Sequence, residues 1–355
     1  VNDLIAAAQE ADRDESAARR EASRLRALLR NRDDEIATLR RSLDLVTDLG
    51  HHIPDPPEWL APEPAGSHHG TPLLILADSH FDEVVAPAEV LGLNSYNRVI
   101  AEQRLQRAFE GAITLPQHYL GSKLIKDGIV VAHAGDLITG EIHDELTESN
   151  DGVPTETVLH FLDPMIAGLR MLREEYGRVH VVEVDGNHDR LHKKKRAKRA
   201  ATTAWSFLFW QLVARDFRRH STVTFQIPEA RDTIFPVYDT RFLLHHGDQF
   251  RGGSGIAGPV TPMAIGDYRK RRKHAEAARH DPSLAFDVQL FGHFHHRTTL
   301  PGMVMAGCLK GYDEYAMGGN FPFDPPSQEL LMVTPERGIT FQAPIWVADR
   351  EAEGW

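Results

Sequence analysis

The feature that most limits what this chain can fold into is a pattern repeated five times: a short apolar run that ends in a loop of oxygen and nitrogen donors. LLILADSH brings Asp78 and His80, VVAHAGD brings Asp136, and VHVVEVDGNHD brings Asn187, His188 and Asp189. RFLLHHGD brings His245 and His246, and VQLFGHFHH brings His293, His295 and His296. Short runs of Val, Ile and Leu read as strands buried on both faces. In open α/β sheets ligands gather beyond the carboxyl ends of the strands, so five such runs predict one edge where these donors meet.

The remainder of the chain supports this. Apolar runs at Leu73–Ala77, Ile129–Ala132, Val179–Val184, Val223–Ile227, Phe242–His245, Val288–Phe291 and Met303–Ala306 read as strands, with a last pair near Leu331 and Ile339. Helical periodicity covers Ser95–Glu110, Thr155–Tyr176, Ala200–Arg219 and Met263–Arg279. Strands alternating with helices, followed by a strand-rich half, fit a layered α/β sandwich with helices outside.

The N-terminal segment follows a different period. Leu4, Ala8, Ala11, Ala18, Ala22, Leu25, Leu29, Ile36, Leu39, Leu43 and Val46 fall on alternating four-three spacing, broken at Glu15 and Arg32. A heptad seam of this length predicts a coiled-coil helix over residues 1–49 and self-association through it. Residues 50–72 turn to Pro, Gly, His and acids, which predicts a linker in which His51, His52, His68 and His69 are solvated. A catalytic domain is expected from 73 to 355.

Composition excludes some classes. A formal charge of −11 gives no general affinity for polyanions, so any such binding must come from a local basic patch. One cysteine, Cys308, excludes an intrachain disulfide and fits a reducing compartment. The N-terminus is charged and no apolar run is long enough for a membrane span, so a cytoplasmic location without membrane contact is expected.

Asp, His and Asn without Cys are donors for manganese, iron or zinc. Two such cations side by side neutralise a phosphoryl group and acidify water between them. The ordered set D-x-H, G-D, G-N-H-D, H-G and G-H-x-H resembles the calcineurin-like metallophosphoesterase family from about Leu73 to the C-terminus. That family includes the Mre11-type nucleases, cyclic-nucleotide phosphodiesterases, protein phosphatases and phosphoesterases found in phage genomes. The resemblance implies a four-layer α/β/β/α sandwich holding two divalent metal ions, manganese foremost. It implies Asp78, His80 and His295 on one metal, Asn187, His246 and His293 on the other, and Asp136 bridging. It assigns His188 to protonating the leaving oxygen or stabilising the transition state, and leaves Asp189 either orienting an imidazole from behind the ligands or capping its loop. His246 is preferred to His245 because it directly precedes glycine, and the G-H-x-H spacing prefers His295 to His296. His133, His143, His245 and His296 read as structural.

The second motif reads G-D-L-I-T-G rather than the G-D-x-x-D-R-G of the protein phosphatases, and the third ends in Asp rather than Glu. Both depart from phosphoprotein substrates. Just past His188 comes a basic run, Arg190, His192, Lys193, Lys194, Lys195, Arg196, Lys198 and Arg199, with Lys270, Arg271, Arg272 and Lys273 as an extension. Arg190, Lys193, Lys194 and Lys195 are therefore expected to bind substrate, and nucleic acid is the expected partner. Gly252, Gly253, Gly255 and Gly258 offer amides to phosphate, and Lys310, Tyr312 and Tyr315 offer substrate contacts. The leading expectation is a metal-dependent nuclease. A small-nucleotide or cyclic-nucleotide phosphodiesterase with an incidental basic run is the second reading. A coiled-coil adaptor carrying a vestigial enzyme domain is the third.

Overall fold

The computed structural model describes residues 19, 21–26, 28–40, 69–120, 125–250 and 260–355. The chain divides into two compact units, Val1–Asp55 and Pro56–Trp355. In the first, residues 21–26 and 28–40 are helical, and Leu25, Leu29, Ile36 and Leu39 of the expected seam are exposed. The other seam positions, apart from half-buried Ala22, lie outside the described residues, as does the expected linker up to residue 68.

The second unit contains two sheets. Its first strand, β1 (His69–Leu76), begins at His69 rather than Leu73. His69 and Gly70 pair with β2 (Ile125–Lys126), and His69 is tied to Asp127 at 2.8 Å, so this histidine belongs to the sheet and not to a solvated linker. The helix α1 (Arg98–Leu120) and the strand β3 (Ile129–His133) follow. Next come α2 (Leu162–Tyr176), β4 (Val179–Glu183), α3 (Trp205–Phe217) and β5 (Val223–Gln226). The second half holds β6 (Asp232–Val237), β7 (Thr240–His245), α4 (Val260–Ala277), β8 (Val288–Phe291), β9 (Thr298–Leu300), β10 (Met303–Met305), β11 (Ser327–Thr334) and β12 (Gly338–Trp346).

One sheet runs β12-β11-β1-β3-β4-β5, with β2 beside β1. Its β1, β3, β4 and β5 are parallel, while β11 and β12 run antiparallel. The other runs β6-β7-β8-β10-β9, parallel at its centre and antiparallel at both edges.

Alternation along the strands defines the layers. Leu74, Leu76, Val131 and Val181 join Leu105, Phe109, Leu169 and Phe209 beneath the helices α1, α2 and α3. Leu73, Ile75, Val130 and Val182 face Phe235, Phe242, Leu244 and Leu290 between the two sheets. On the far side Phe291, Met303 and Met305 pack with Phe250 and with Met263 of α4. The order is helices, sheet, sheet, helix, as expected.

Some differences have local causes. The helix expected over Thr155–Tyr176 breaks at Phe161 into Pro154–His160 and α2. The helix expected from Ala200 begins at Trp205 after a short turn at Ala201–Thr203. The strand β6 escapes a pattern reading because Pro236 lies in it; as an edge strand it needs no donor on its outer side.

Candidate metal centre

The loops after β1 and β3 run alongside each other as a continuation of the sheet. The amides of Asp78, His80 and Phe81 donate to the carbonyls of Gly135, Asp136 and Leu137 at 3.2, 3.1 and 3.1 Å. The motif glycines are explained by close approach. A Cβ on Gly186 would sit 2.0 Å from Asp136 Oδ1, and one on Gly292 would sit 2.3 Å from Asp78 Oδ2. The ligand loops are also strained. Asp78, His80, Asp136, His293 and His295 have φ of 50, 47, 52, 75 and 53°, in the left-handed region that L-residues seldom occupy. Each such residue costs on the order of 1 kcal/mol or more, which the surrounding fold must offset.

Two clusters result, each with ligand atoms mutually within 4.8 Å: Asp78, His80 and His295, then Asp136, His246 and His293. His80 Nε2 faces His295 Nε2 at 3.2 Å, and His295 Nε2 is 3.6 Å from Asp78 Oδ1. His246 Nε2 lies 3.0 Å from Asp136 Oδ2 and 3.0 Å from Asn187 Oδ1. The same Oδ2 of Asp136 is 3.8 Å from His80 Nε2, so one carboxylate oxygen stands between the clusters. All seven expected ligands are thus brought together.

The donor set suits divalent cations. Burial drives His80 well below the ordinary imidazole range and takes His295 down to about 3, so both present lone pairs. Each neutral ring keeps one nitrogen lone pair, and the two Nε2 atoms lie 3.2 Å apart, close enough to share one cation. Burial, reinforced by Asp136, raises Asp78 to about 7. Burial also opposes the charge on His246, but the Asp136 carboxylate pushes it up to about 10. Asp136 itself stays well below the carboxylate range despite burial, because His246 and His188 face it.

The ligands are oriented from behind. His80 Nδ1 donates to Thr139 Oγ1 at 3.0 Å, and Thr139 passes its own proton to Glu83 Oε2 at 2.7 Å. Lys310 Nζ donates to Glu83 Oε1 at 2.8 Å and also binds Asp313. His246 Nδ1 donates to the Ala134 carbonyl at 2.8 Å, which turns Nε2 toward the cluster. The amide of His293 donates to Asp78 at 2.9 Å. Asp82 accepts from the amides of Thr139 and Gly140 at 2.6 and 3.2 Å. The acids Asp82 and Glu83 follow D-S-H after one residue, Phe81, a cluster that could have flagged this support.

His188 lies beside the centre. Its amide donates to Asp136 Oδ1 at 2.7 Å, and its ring centroid is 5.0 Å from that of His80. Nδ1 donates to the Thr139 carbonyl at 3.0 Å, so Nε2 is the nitrogen left for other partners. Burial shifts this imidazole below its ordinary range. Asp189 takes the loop-capping role of the two expected for it. Instead of orienting an imidazole, it accepts from the amides of Gly186, Asp136, Leu137 and Ile138 at 2.8, 3.0, 2.9 and 3.3 Å. It shapes the loop that carries Asp136.

Other residues lie elsewhere. His245 stacks on Phe291 and bonds Gln289 at 3.0 Å, and His296 pairs with Asp324 at 3.3 Å. His133 is fully buried against Trp210, and His143 stands 6.0 Å from the His188 ring. Lys310 and Tyr312 are buried rather than offered to substrate, while Tyr315 is exposed. The basic run does not act as a unit. Arg190 donates to the carbonyls of Asn187, His192 and Lys193, folding its own loop. Lys193 pairs with Asp144, Lys195 pairs with Asp248, and Lys194 is exposed. Lys270 is buried against Asp232, which removes it from the expected basic extension. The expected phosphate-binding glycines, 252 to 258, lie outside the described residues.

No family model and no curated protein matches the chain. Among solved structures it is similar to a dimetal phosphatase from Danio rerio, at 12% identity and TM-score 0.34 over 78% of this chain and 99% of that one. A predicted phosphoesterase from Streptococcus pneumoniae gives 11%, 0.28, 78% and 97%. The sulfate thiohydrolase SoxB from Thermus thermophilus gives 12%, 0.31, 80% and 58%. Overlaps this loose add nothing to the residues themselves. What the chain's own geometry establishes is a four-layer α/β/β/α unit whose parallel strand ends carry two adjoining three-residue clusters suited to metal.

Proposed function

We propose that the chain is a metal-dependent phosphodiesterase acting on a DNA or RNA strand. The observation that carries this reading is the placement of Asp136 Oδ2 between the clusters, 3.0 Å from His246 and 3.8 Å from His80, with Asn187 completing the second. Two divalent cations held there would neutralise a phosphoryl group and supply hydroxide at neutral pH. An oxygen and nitrogen donor set without thiolate favours manganese, with iron or zinc as alternatives. His188 keeps its Nδ1 proton on the Thr139 carbonyl, so Nε2 would first take up a proton from water and then give it to the departing alkoxide. The basic segment from Arg190 to Arg199 supports a polyanionic substrate.

One observation favours a small nucleotide instead: Lys193 and Lys195 are already paired with Asp144 and Asp248, so part of the run is neutralised. Hydrolysis by the manganese-loaded protein of single-stranded DNA, duplex DNA, RNA, cyclic nucleotides and bis(4-nitrophenyl) phosphate decides between them. Cleavage of polynucleotides supports the proposal, and turnover of cyclic or mononucleotides alone overturns the strand reading. An adaptor with a vestigial site would take up no metal; the complete ligand set argues against it.

Self-association through the N-terminal helix is part of the same proposal, supported by the exposed Leu25, Leu29, Ile36 and Leu39. Sedimentation of the full chain against a chain lacking residues 1–49 tests it. No helix among the described residues is long and apolar enough to cross a membrane.

A further inference from the structure

A cavity of about 780 Å³ opens between the basic segment and α4, lined by Lys195, Arg196, Arg231, Asp232, Gln249 and Lys273 among others. Its walls are tied to the metal centre. Lys195 and Arg231 both bind Asp248, and Arg231 also binds Asp185 at 3.1 Å. Asp248 comes two residues after His246, and Asp185 two residues before Asn187. Two residues of chain span at most about 7 Å, so the acids that hold the cavity's Lys195 and Arg231 lie on the same loops as ligands of the second cluster.

Its charge differs from that of the whole chain. Lys195, Arg196, Arg231, Lys270 and Lys273 are set against Asp185, Asp232 and Asp248, an excess of two positive charges in a chain of net −11. Arg231 is fixed by two carboxylates, Lys273 shares Asp232 with Lys270, and Arg196 has no carboxylate partner among the described residues. The paired cations are held in place but partly neutralised by their acids, so the charge left over is greatest at Arg196, which supplies a planar donor fork suited to phosphate. The other candidate path is less suitable. A smaller cavity of about 330 Å³ is lined by Glu141, Leu191, Trp205 and Val153 beside Arg190 and Lys193, mixing an acid with apolar walls.

We propose that the larger cavity holds a phosphate of the same nucleic-acid strand, neighbouring the one at the metal centre, with Arg196 and Lys273 as its contacts and Arg231 as the fixed wall. This rests on the phosphodiesterase reading and gives the strand a direction: it leaves the centre toward α4 and does not track the whole basic run. A mononucleotide has no second phosphodiester to place there.

The test is binding without turnover. Anisotropy of a fluorescein-labelled oligothymidylate is measured against the full chain in EDTA, for wild type and for Arg196→Ser with Lys273→Ser. The expected result is a Kd raised tenfold or more and a salt slope reduced by about 1.4, at about 0.7 per lost contact to a single strand. If the double variant melts early, Arg196→Ser alone is read, with half that slope change. Wild-type and variant proteins of equal affinity and slope, or a wild type without affinity for the strand, would overturn the proposal. Strand binding through this cavity by a protein that hydrolyses no diester would sink the phosphodiesterase reading and leave the cavity assignment standing.

Discussion

Thr139 Oγ1 stands 3.0 Å from Nδ1 of His80 and donates its own proton to Glu83, so it can only accept from the imidazole. This fixes the tautomer of His80 and turns Nε2 toward His295 and Asp136. Thr139→Val removes the acceptor while keeping the shape. Groups that orient a ligand contribute about 10–100-fold to metal affinity. A weakening within that range is expected by calorimetric titration with manganese, with Thr139→Ser restoring most of it; unchanged affinity in the valine variant would show the hydrogen bond to be idle.

Gly186→Ala places a methyl group 2.0 Å from Asp136 Oδ1. The carboxylate must move, and displacement by an ångström costs about 100-fold in rate where geometry governs catalysis. The expected outcome is a drop of that order in diester hydrolysis. A variant hydrolysing diesters at the wild-type rate would show that Asp136 need not hold its position.

His188→Ala is expected to keep both metal equivalents yet lose about 10²–10⁴ in kcat, the usual contribution of general acid–base catalysis. Its amide, not its ring, touches Asp136, which is why metal retention is expected. Metal lost together with activity would make His188 a ligand instead of the acid.

Arg104 and Glu353 form a fully buried pair at 2.8 Å, and Arg104 also donates to the carbonyls of Ser95, Leu309 and Lys310. Breaking one side of a buried pair costs about 3–5 kcal/mol. Glu353→Ala should lose that much in urea denaturation, and a loss below about 1 kcal/mol would mean that water reaches the vacated site.

Asp232 sets a pH window. Burial opposes its charge, but Lys270 and Lys273 outweigh burial and hold the carboxyl well below the ordinary range. A depressed folded pKa stabilises the fold above the unfolded value of about 3.9 and loses that contribution as pH falls further. The stability gap between wild type and Asp232→Asn should therefore be constant from pH 5 to 7 and close below pH 4. A gap that widens on acidification would contradict this sign.

The ligand loops were legible in the sequence because each followed a buried strand, and four of the five set a glycine beside a donor. The layer order was legible for the same reason, since Leu73 to Ala77 alternates between two cores. The supporting residues were less visible. Thr139 and Glu83 reach His80 through side chains from different loops, and nothing in local periodicity signals that. The sequence leaves two roles open for Asp189 because its four partners are backbone amides, which carry no sequence identity. The basic run looked continuous in sequence, but Asp144 and Asp248 draw Lys193 and Lys195 apart.

The central claim is that these residues hold two divalent cations, and metal content tests it most directly. The purified chain, equilibrated with excess manganese and freed of unbound metal, is analysed by plasma mass spectrometry beside Asp136→Asn. The prediction is two manganese ions per wild-type chain and a clear loss in the variant. Fewer than one ion per wild-type chain, or equal retention by Asp136→Asn, would contradict the account.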